Sequence, residues 1–535
     1  CRNDFGGYFI IAGKEKVIIP QEKFADNMIY VRKHKGDDIY SCSADIRSVS
    51  EDTSKPIRTT SIKLVAESTS VSDNTETVTL TNKQIVVCIP NVRKPIPLFI
   101  VMRALGILSD KDIIRTCLLD IDANESYLNY FVPSIHDANK VFNQEAAILF
   151  IASFTKRNTF TSVIEILSNY FLAHIGELNF LDKAYFLGHM VYKLLKVYSN
   201  EDRPTDRDNF KFKRIELTGN LMYDLFREYY LIQKRAISLK IDKEFYYHRG
   251  KYKDADFENL IKLNYVEYFK ERDVETGFNK AFKGNWGADS RTKRMGVIQD
   301  LNRLSWNTFM SHLRKINLPF DPTSKITGPR LLNSSQWGFI DPVDSPDGAN
   351  IGLHKHISLC TSITSSNSCY PIIKWLRGVA NMKLLMECSP EYMSKLIKIF
   401  VNGIWTGLIQ DPIELVKKFK LCRRNGMIPL FTSINFNISE KEIQIYTDAG
   451  RLTRPIYYID ELSNKPSFNR NHIIELFESG KISWEEIISG LNEKTNYTNG
   501  EIYNVDEIYP NLKDLTLLEK NKKIIDYIDT NEEEG

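Results

Sequence analysis

The chain has 535 residues, of which 42% are hydrophobic and 26% charged, and carries a formal net charge of +3. That length is too great for one hydrophobic core, so several domains are expected; the composition is globular and excludes a disordered or fibrous chain. The near balance of charge neither requires nor excludes nucleic acid, so any basic surface must be local.

The eight cysteines include no C-x-x-C pair, which argues against a zinc site or a disulfide framework and for a reduced, intracellular protein. No run of 18 apolar residues is present to suggest a membrane helix, and Arg2, Asp4 and Gly6-Gly7 do not make a signal peptide. The first residue is Cys1 and the last are Glu532-Glu533-Glu534-Gly535. Both ends read as those of a segment of a longer protein, and the acidic run as a solvated charge cluster.

Residues 8–19 read as a hairpin, with strands Tyr8-Phe9-Ile10-Ile11 and Lys16-Val17-Ile18-Ile19 around the turn Ala12-Gly13-Lys14-Glu15. Residues 41–97 are rich in Ser, Thr and Val. Within them, residues 77–81 and 84–89 suggest a second hairpin about Asn82-Lys83, and Pro90, Pro95 and Pro97 stop the sheet. Residues 98–200 change to helical periodicity; Leu187, Val191, Leu194 and Tyr198 fall on one face of a helix over 182–198. The charged, proline-bearing run 201–208 marks a boundary. Residues 214–280 look mainly helical, and 281–317 become basic and glycine-punctuated. Beyond 371 the alternation returns, with an Asn-Gly turn at Asn402-Gly403 and a strand from Ile443 running into a tight turn before Arg451. There is no internal repeat and no long low-complexity tract.

The most informative stretch runs from Trp337 to Leu353. Pro342 and Pro346 fix φ, Gly348 and Gly352 release it, and Asp341, Asp344 and Asp347 recur every third residue. This is a shaped loop, with Arg330 upstream and His354, Lys355 and His356 downstream. Three aspartates raise the thought of magnesium, but loop carboxylates beside proline more often accept backbone N–H groups. Arg330, in Gly328-Pro329-Arg330, has two readings: a bidentate contact to phosphate, or an ion pair with Asp341 or Asp344 that holds the loop. Asn350 divides between a polar contact and a turn role. His312, His354 and His356 come without a Ser or Cys nucleophile motif, which favours packing or phosphate contact over acid–base work. Asp120-x-Asp122-x-Asn124 opens like a calcium loop but has Glu125 at the glycine position and Phe131 at the closing one.

From Lys280 to Lys315 eight Lys or Arg face only Asp289 and Asp300. A phosphate backbone suits that excess, because each neutralised phosphate releases a counterion. Gly284 and Gly287 around Trp286 would let the loop approach a duplex. A solvated helix face plus a loop is the plainer account, slightly favoured by composition alone.

The run Trp337–Leu353 resembles the W-G-x-x-x-P-x-[ED]-[TS]-P-[ED]-G-x-x-x-G-L signature of the second-largest (β-type) subunit of multisubunit DNA-dependent RNA polymerases. Gly6-Gly7-Tyr8-Phe9-Ile10-Ile11, Arg103-Ala104-Leu105-Gly106, Asp206-Arg207-Asp208, Gly284-Asn285-Trp286-Gly287, Ser311-His312-Leu313-Arg314 and Thr447-Asp448-Ala449-Gly450-Arg451 resemble the same family, in its order. The resemblance implies a mixed α/β (α+β), multidomain fold. Residues 1–47 would end the first half of the protrusion, 48–213 would be the lobe, 214–280 the second half of the protrusion, 281–370 the fork, and 371–467 and 468–535 external regions 1 and 2.

It further implies the segment's place in a nucleotidyltransferase that makes RNA from nucleoside triphosphates on a DNA template. Arg330, Asp344 and Asn350 would lie near the nucleotide. Lys283, Trp286, Arg291, Lys293, Arg294 and Arg303 would border the RNA–DNA hybrid. No catalytic residue or metal ligand is expected in the segment, since the resemblance assigns magnesium mainly to the largest (β′-type) subunit. That subunit, smaller polymerase subunits, DNA template and hybrid are the implied partners, with no membrane. The location would be the nucleus if cellular. The Ser345-Pro346-Asp347 form in place of Thr-Pro-Glu suggests a large cytoplasmic DNA virus, and then a virion or virus factory. A non-catalytic nucleic-acid-binding protein or an assembly platform is the alternative; neither would need a nucleotide-side loop.

Overall fold

The computed structural model describes residues 6–34, 38–52, 54–66, 83–248, 257–290, 292–460, 464–469, 471–481, 483, 518–519 and 522–535. Residues 77–81 and Arg291 lie outside these. The fold is mixed α/β and multidomain. It divides into two compact units, one of Cys1–Phe24, Asp208–Ile363 and Gly450–Arg454, the other of Ala25–Arg207, Thr364–Ala449 and Pro455–Gly535. The change of unit at Arg207 falls inside the charged run 201–208.

In the first unit, the expected hairpin forms from Phe9–Ile11 and Lys14–Ile18, with Ile11 opposite Lys14. Only Ala12 and Gly13 remain in the turn, at φ 50° and 78°. Two central residues at positive φ twist with the strands, so the connection is tighter than the four-residue turn expected. Ile298–Asp300 pairs on the other side of Lys14–Ile18. A second sheet has the order His354–His356, Lys315–Asn317, Gln21–Phe24, Lys213–Glu216.

Residues 214–280 are mainly helical as expected, in Thr218–Tyr247, Phe257–Tyr268 and Asp273–Phe282. Two apolar clusters hold the unit. One joins Ile18, Leu221, Leu225, Phe282, Trp286 and Val297; the other joins Phe210, Ile215, Ile316, Phe339, Ile340 and Leu452.

Glu22 is buried in the second sheet between the ammonium groups of Lys355, at 2.8 Å, and Lys213, at 2.9 Å. Burial alone would raise the Glu22 pKa, but Lys355 and Lys213 outweigh it and the carboxyl is held below its ordinary value. The three charges come from three strands and tie the sheet together across its width.

In the second unit, a five-stranded antiparallel sheet of Ile29–Lys33, Tyr40–Ser48, Arg58–Val65, Ile85–Cys88 and Ile96–Pro97 packs with helices that include Phe180–Tyr198. Leu187, Val191 and Leu194 of that helix are buried, as the periodicity predicts. A further sheet has the order Ile404–Ile409, Ile397–Val401, Glu442–Tyr446, Ser433–Asn437. Its hairpin turns at Asn402 and Gly403, φ 48° and 81°, as the Asn-Gly pair requires.

The closing acidic run is not wholly a solvated cluster. The fully buried Arg423 donates to both Glu532 carboxylate oxygens, at 2.7 and 2.8 Å, and to Asp526 at 3.0 Å. Glu532 satisfies a buried cation that would otherwise be strongly destabilising. No helix among the described residues is long and apolar enough to cross a membrane.

Candidate nucleotide-side loop and basic face

The loop leaves the first unit's core at Ile340 and returns at His354. Buried Phe339 and Ile340 fix the exit, the Asp341 N–H donates to the His356 carbonyl at 2.8 Å, and the Ser358 N–H donates to the Phe339 carbonyl at 2.9 Å. Asp341 Oδ1 accepts the N–H groups of Val343, at 3.0 Å, and Asp344, at 3.4 Å, the local turn that Asp before Pro favours. Gly348–Asn350 forms one 3-10 turn. Gly352, at φ +69°, packs so closely on the main chain of Arg330 that a Cβ would collide with it.

Arg330 spans the base of this loop. Its guanidinium donates to the carbonyls of Ala349 at 2.6 Å, Pro322 at 2.9 Å, Ile351 at 3.0 Å and Ile326 at 3.1 Å. The ion pair with Asp341 or Asp344, one of the two readings of this residue, is not formed. Backbone carbonyls take its place, so Arg330 is a brace with a single N–H left to offer.

Asp344 is half-exposed, its side chain 42% accessible. One carboxylate oxygen accepts the Ser311 hydroxyl at 2.6 Å. The other lies 3.3 Å from His356 Nδ1, which donates to the Asp344 carbonyl at 2.8 Å. The main-chain carbonyl of Asn350 accepts the Leu353 N–H at 3.0 Å.

Magnesium does not fit the aspartates as they stand. Asp341 is turned to the loop N–H groups and Asp344 to Ser311, and no group of three or more His, Cys, Asp or Glu gathers among the described residues. Burial, with Lys315 and His356 nearby, lowers the pKa of His312 and takes His354 down to about 4. His354 is therefore neutral near pH 7, unsuited to neutralising phosphate. His312 Nδ1 accepts the Asn302 N–H at 3.2 Å, which leaves Nε2 to donate to Gln299 Oε1 at 3.1 Å.

The basic segment divides into bound and unbound charges. Trp286 does not offer its ring to a ligand: it is 4% exposed and packs edge-on to Phe282, with ring centroids 6.4 Å apart. Its flanking glycines serve the fold. Gly284, at φ +106°, ends the Asp273–Phe282 helix while the Asn285 N–H returns to the Lys280 carbonyl at 3.1 Å. Gly287 lies against the main chain of Thr292, with no room for a Cβ.

Arg294 pairs with Glu216 at 2.6 Å. Arg303 binds Glu15 bidentately, at 2.9 and 3.0 Å, and lies over the rings of Tyr8 and Phe309. Lys283 and Lys293 are exposed and make no ion pair among the described residues. Arg291 lies outside those residues. Ser311 and His356 both lie in stretches that the sequence singles out, but nothing in the linear order joins either of them to Asp344.

Comparison with known proteins gives the class. Residues 25–216, 299–363 and 399–460 match, in that order, the families described as RNA polymerase Rpb2, domain 2, domain 3 and domain 4. The chain belongs to the Rpb2 family and is a segment of the second-largest-subunit type of RNA polymerase. It is 33% identical over 500 residues to DNA-directed RNA polymerase II subunit RPB2 of Encephalitozoon cuniculi, covering 91% of this chain and 41% of that protein. It is 33% identical over 473 residues to DNA-directed RNA polymerase II subunit 2 of Arabidopsis thaliana, covering 86% and 38%. To DNA-directed RNA polymerase III subunit RPC2 of Schizosaccharomyces pombe it is 28% identical over 515 residues, covering 92% and 41%. The chain thus spans about two fifths of the length of these relatives.

Proposed function

We propose that this chain forms walls of a DNA-directed RNA polymerase, with the loop 341–353 towards the incoming nucleotide and the fork segment towards the RNA–DNA hybrid. The observation that carries the reading is the braced loop itself. The Rpb2 domain 3 match covers it, its ends are locked to the sheet, and it holds one half-exposed carboxylate, Asp344, in fixed orientation. A plain nucleic-acid binder has no need of such a loop.

On this reading Asp344 shapes the charge around the nucleotide, Asn350 fixes the turn beyond it, and Arg330 keeps the loop in place. Lys283 and Lys293 supply the phosphate contacts, since their charges are unspent on the fold. The six-region division into protrusion, lobe, fork and external regions belongs to the same proposal, as does assembly with a largest subunit and smaller subunits. Magnesium would be held by the largest subunit, and no step of the chemistry is assigned to the residues of this segment. The place of action is intracellular, wherever the template is transcribed. The viral source suggested by Ser345-Pro346-Asp347 gains no support from the three relatives named above, which are cellular.

The test is affinity purification of the complex that forms on this chain in its source cells, followed by template-dependent RNA synthesis with magnesium. The complex should synthesise RNA and the isolated chain should not. Robust synthesis by the isolated chain, or a stable complex without polymerase activity, would overturn the proposal.

A further inference from the structure

Asp344 sits on a glycine- and proline-rich loop, yet its carboxylate is not left to the loop to orient. Two neighbouring elements reach it. The Trp306–Leu313 helix, capped by Ser305 on the Thr308 N–H at 3.2 Å, presents Ser311. Strand Lys315–Asn317 follows almost directly and pairs with His354–His356, Lys315 lying opposite His356. Ser311 and His356 therefore belong to one rigid corner, the helix fixed to the strand pair by a connection of a single residue, Arg314.

From that corner the Ser311 hydroxyl holds one carboxylate oxygen at 2.6 Å. The His356 ring holds the Asp344 carbonyl at 2.8 Å and stands 3.3 Å from the second oxygen. His356 is largely buried, Ser311 is half-buried, and the outer side of the carboxylate remains open to solvent. Lys315 also faces this corner, its ammonium directed to Gln299 Oε1 at 3.3 Å.

We infer that Ser311 and His356 are positioning residues that aim the Asp344 carboxylate at the nucleotide. The inference rests on the proposed function, since it presumes that Asp344 faces the substrate. A carboxylate on a loop of this composition samples many orientations, and fixing one supplies the preorganisation that electrostatic assistance at a reacting phosphate requires. The inference specifies what each group must keep. Position 311 needs a hydroxyl and position 356 a donor at the place of Nδ1, whereas neither needs to touch the nucleotide.

The test is single-nucleotide addition by the assembled polymerase at saturating and limiting nucleotide, for Ser311→Ala, Ser311→Thr, His356→Ala, His356→Asn and Asp344→Ala. Each Ala change at 311 and 356 is also placed in the Asp344→Ala background. Ser311→Ala and His356→Ala should each lower kcat about three- to tenfold, the scale of one lost hydrogen bond, with little change in KM. Thr and Asn, which keep a donor, should recover most of the rate. In the Asp344→Ala background both Ala changes should add no further loss, because their action passes through that carboxylate. Wild-type rates in Ser311→Ala and His356→Ala alongside a slow Asp344→Ala would overturn the inference and leave the proposed function standing. An equal loss with and without Asp344 would also overturn it, by showing a purely structural role. Normal addition in Asp344→Ala would instead remove the reading of the loop on which it depends.

Discussion

Arg330 donates to the carbonyl of Ala349 at 2.6 Å, and this bond sets what the residue can do. With the neighbouring bonds to Pro322, Ile326 and Ile351, it makes the guanidinium a clamp across the neck of the loop. Arg330→Ala should therefore loosen the loop before it alters chemistry. Charge-assisted bonds from a half-buried group of this kind stabilise by roughly 2 kcal/mol in all, after allowance for solvent at the freed carbonyls. Thermal melting should fall by a few degrees, and protease should cut within 341–353 sooner. Lys should restore only part, since an ammonium cannot reach four carbonyls in one plane. Unchanged melting and unchanged cleavage would show that the clamp is dispensable.

The charged residues of the basic segment should separate into two kinds. Lys283→Ala and Lys293→Ala should weaken retention of a nucleic-acid scaffold by the assembled enzyme. The loss should be alike for all template sequences and fade at high salt, with no change in melting temperature. Arg294→Ala should lower the melting temperature instead, because it leaves Glu216 facing Lys23 alone. The comparison is a salt titration of scaffold affinity beside a melting curve for each variant. Equal affinity losses with no loss of stability in Arg294→Ala would show that Arg294 too is spent on phosphate.

Trp286→Ala should be among the most destabilising single changes in the first unit, by about 3–5 kcal/mol, as expected for an emptied aromatic site in a packed core. Chemical denaturation would measure it. A variant of normal stability with reduced affinity for nucleic acid would restore the surface role that its motif suggests.

What could be read in the sequence followed the range of the forces involved. The hairpin at Asn402-Gly403 and the helix Phe180–Tyr198 were legible because turn chemistry and periodicity act over a few residues. The loop at Trp337–Leu353 announced itself through proline and glycine. The burial of Trp286 could not be read, because its partners Ile18, Leu221 and Val297 come from separate parts of the chain. The acceptors of Arg330 could not be read, because backbone carbonyls carry no residue identity. The pairing of Lys213 and Lys355 with Glu22 likewise depends on a strand order that no local pattern encodes.

That buried triad gives a pH dependence. The Glu22 carboxyl is held below its ordinary value of 4.5 in the folded state, burial opposing but Lys355 and Lys213 prevailing. Its stabilising contribution is therefore fully present above about pH 4.5 and is lost as pH falls through the lower folded value. Glu22→Gln should leave two buried ammonium groups facing a neutral amide and destabilise the unit by about 3–5 kcal/mol. Its stability should also fall less steeply on acidification below pH 4.5 than that of the unaltered chain. Parallel acid titrations monitored by circular dichroism decide it; identical slopes would show that Glu22 does not carry the acid sensitivity.

The central claim is that the loop of this chain faces the growing end of the RNA. The most direct measurement is photocrosslinking in the assembled, transcribing enzyme, with a photoreactive base at the RNA 3′ end and the label mapped by peptide sequencing. The account predicts label within residues 341–353, including the outward-facing Val343, which is 86% exposed, and its loss when the RNA is released. Label confined to other chains, in an enzyme that extends the same RNA, would contradict it.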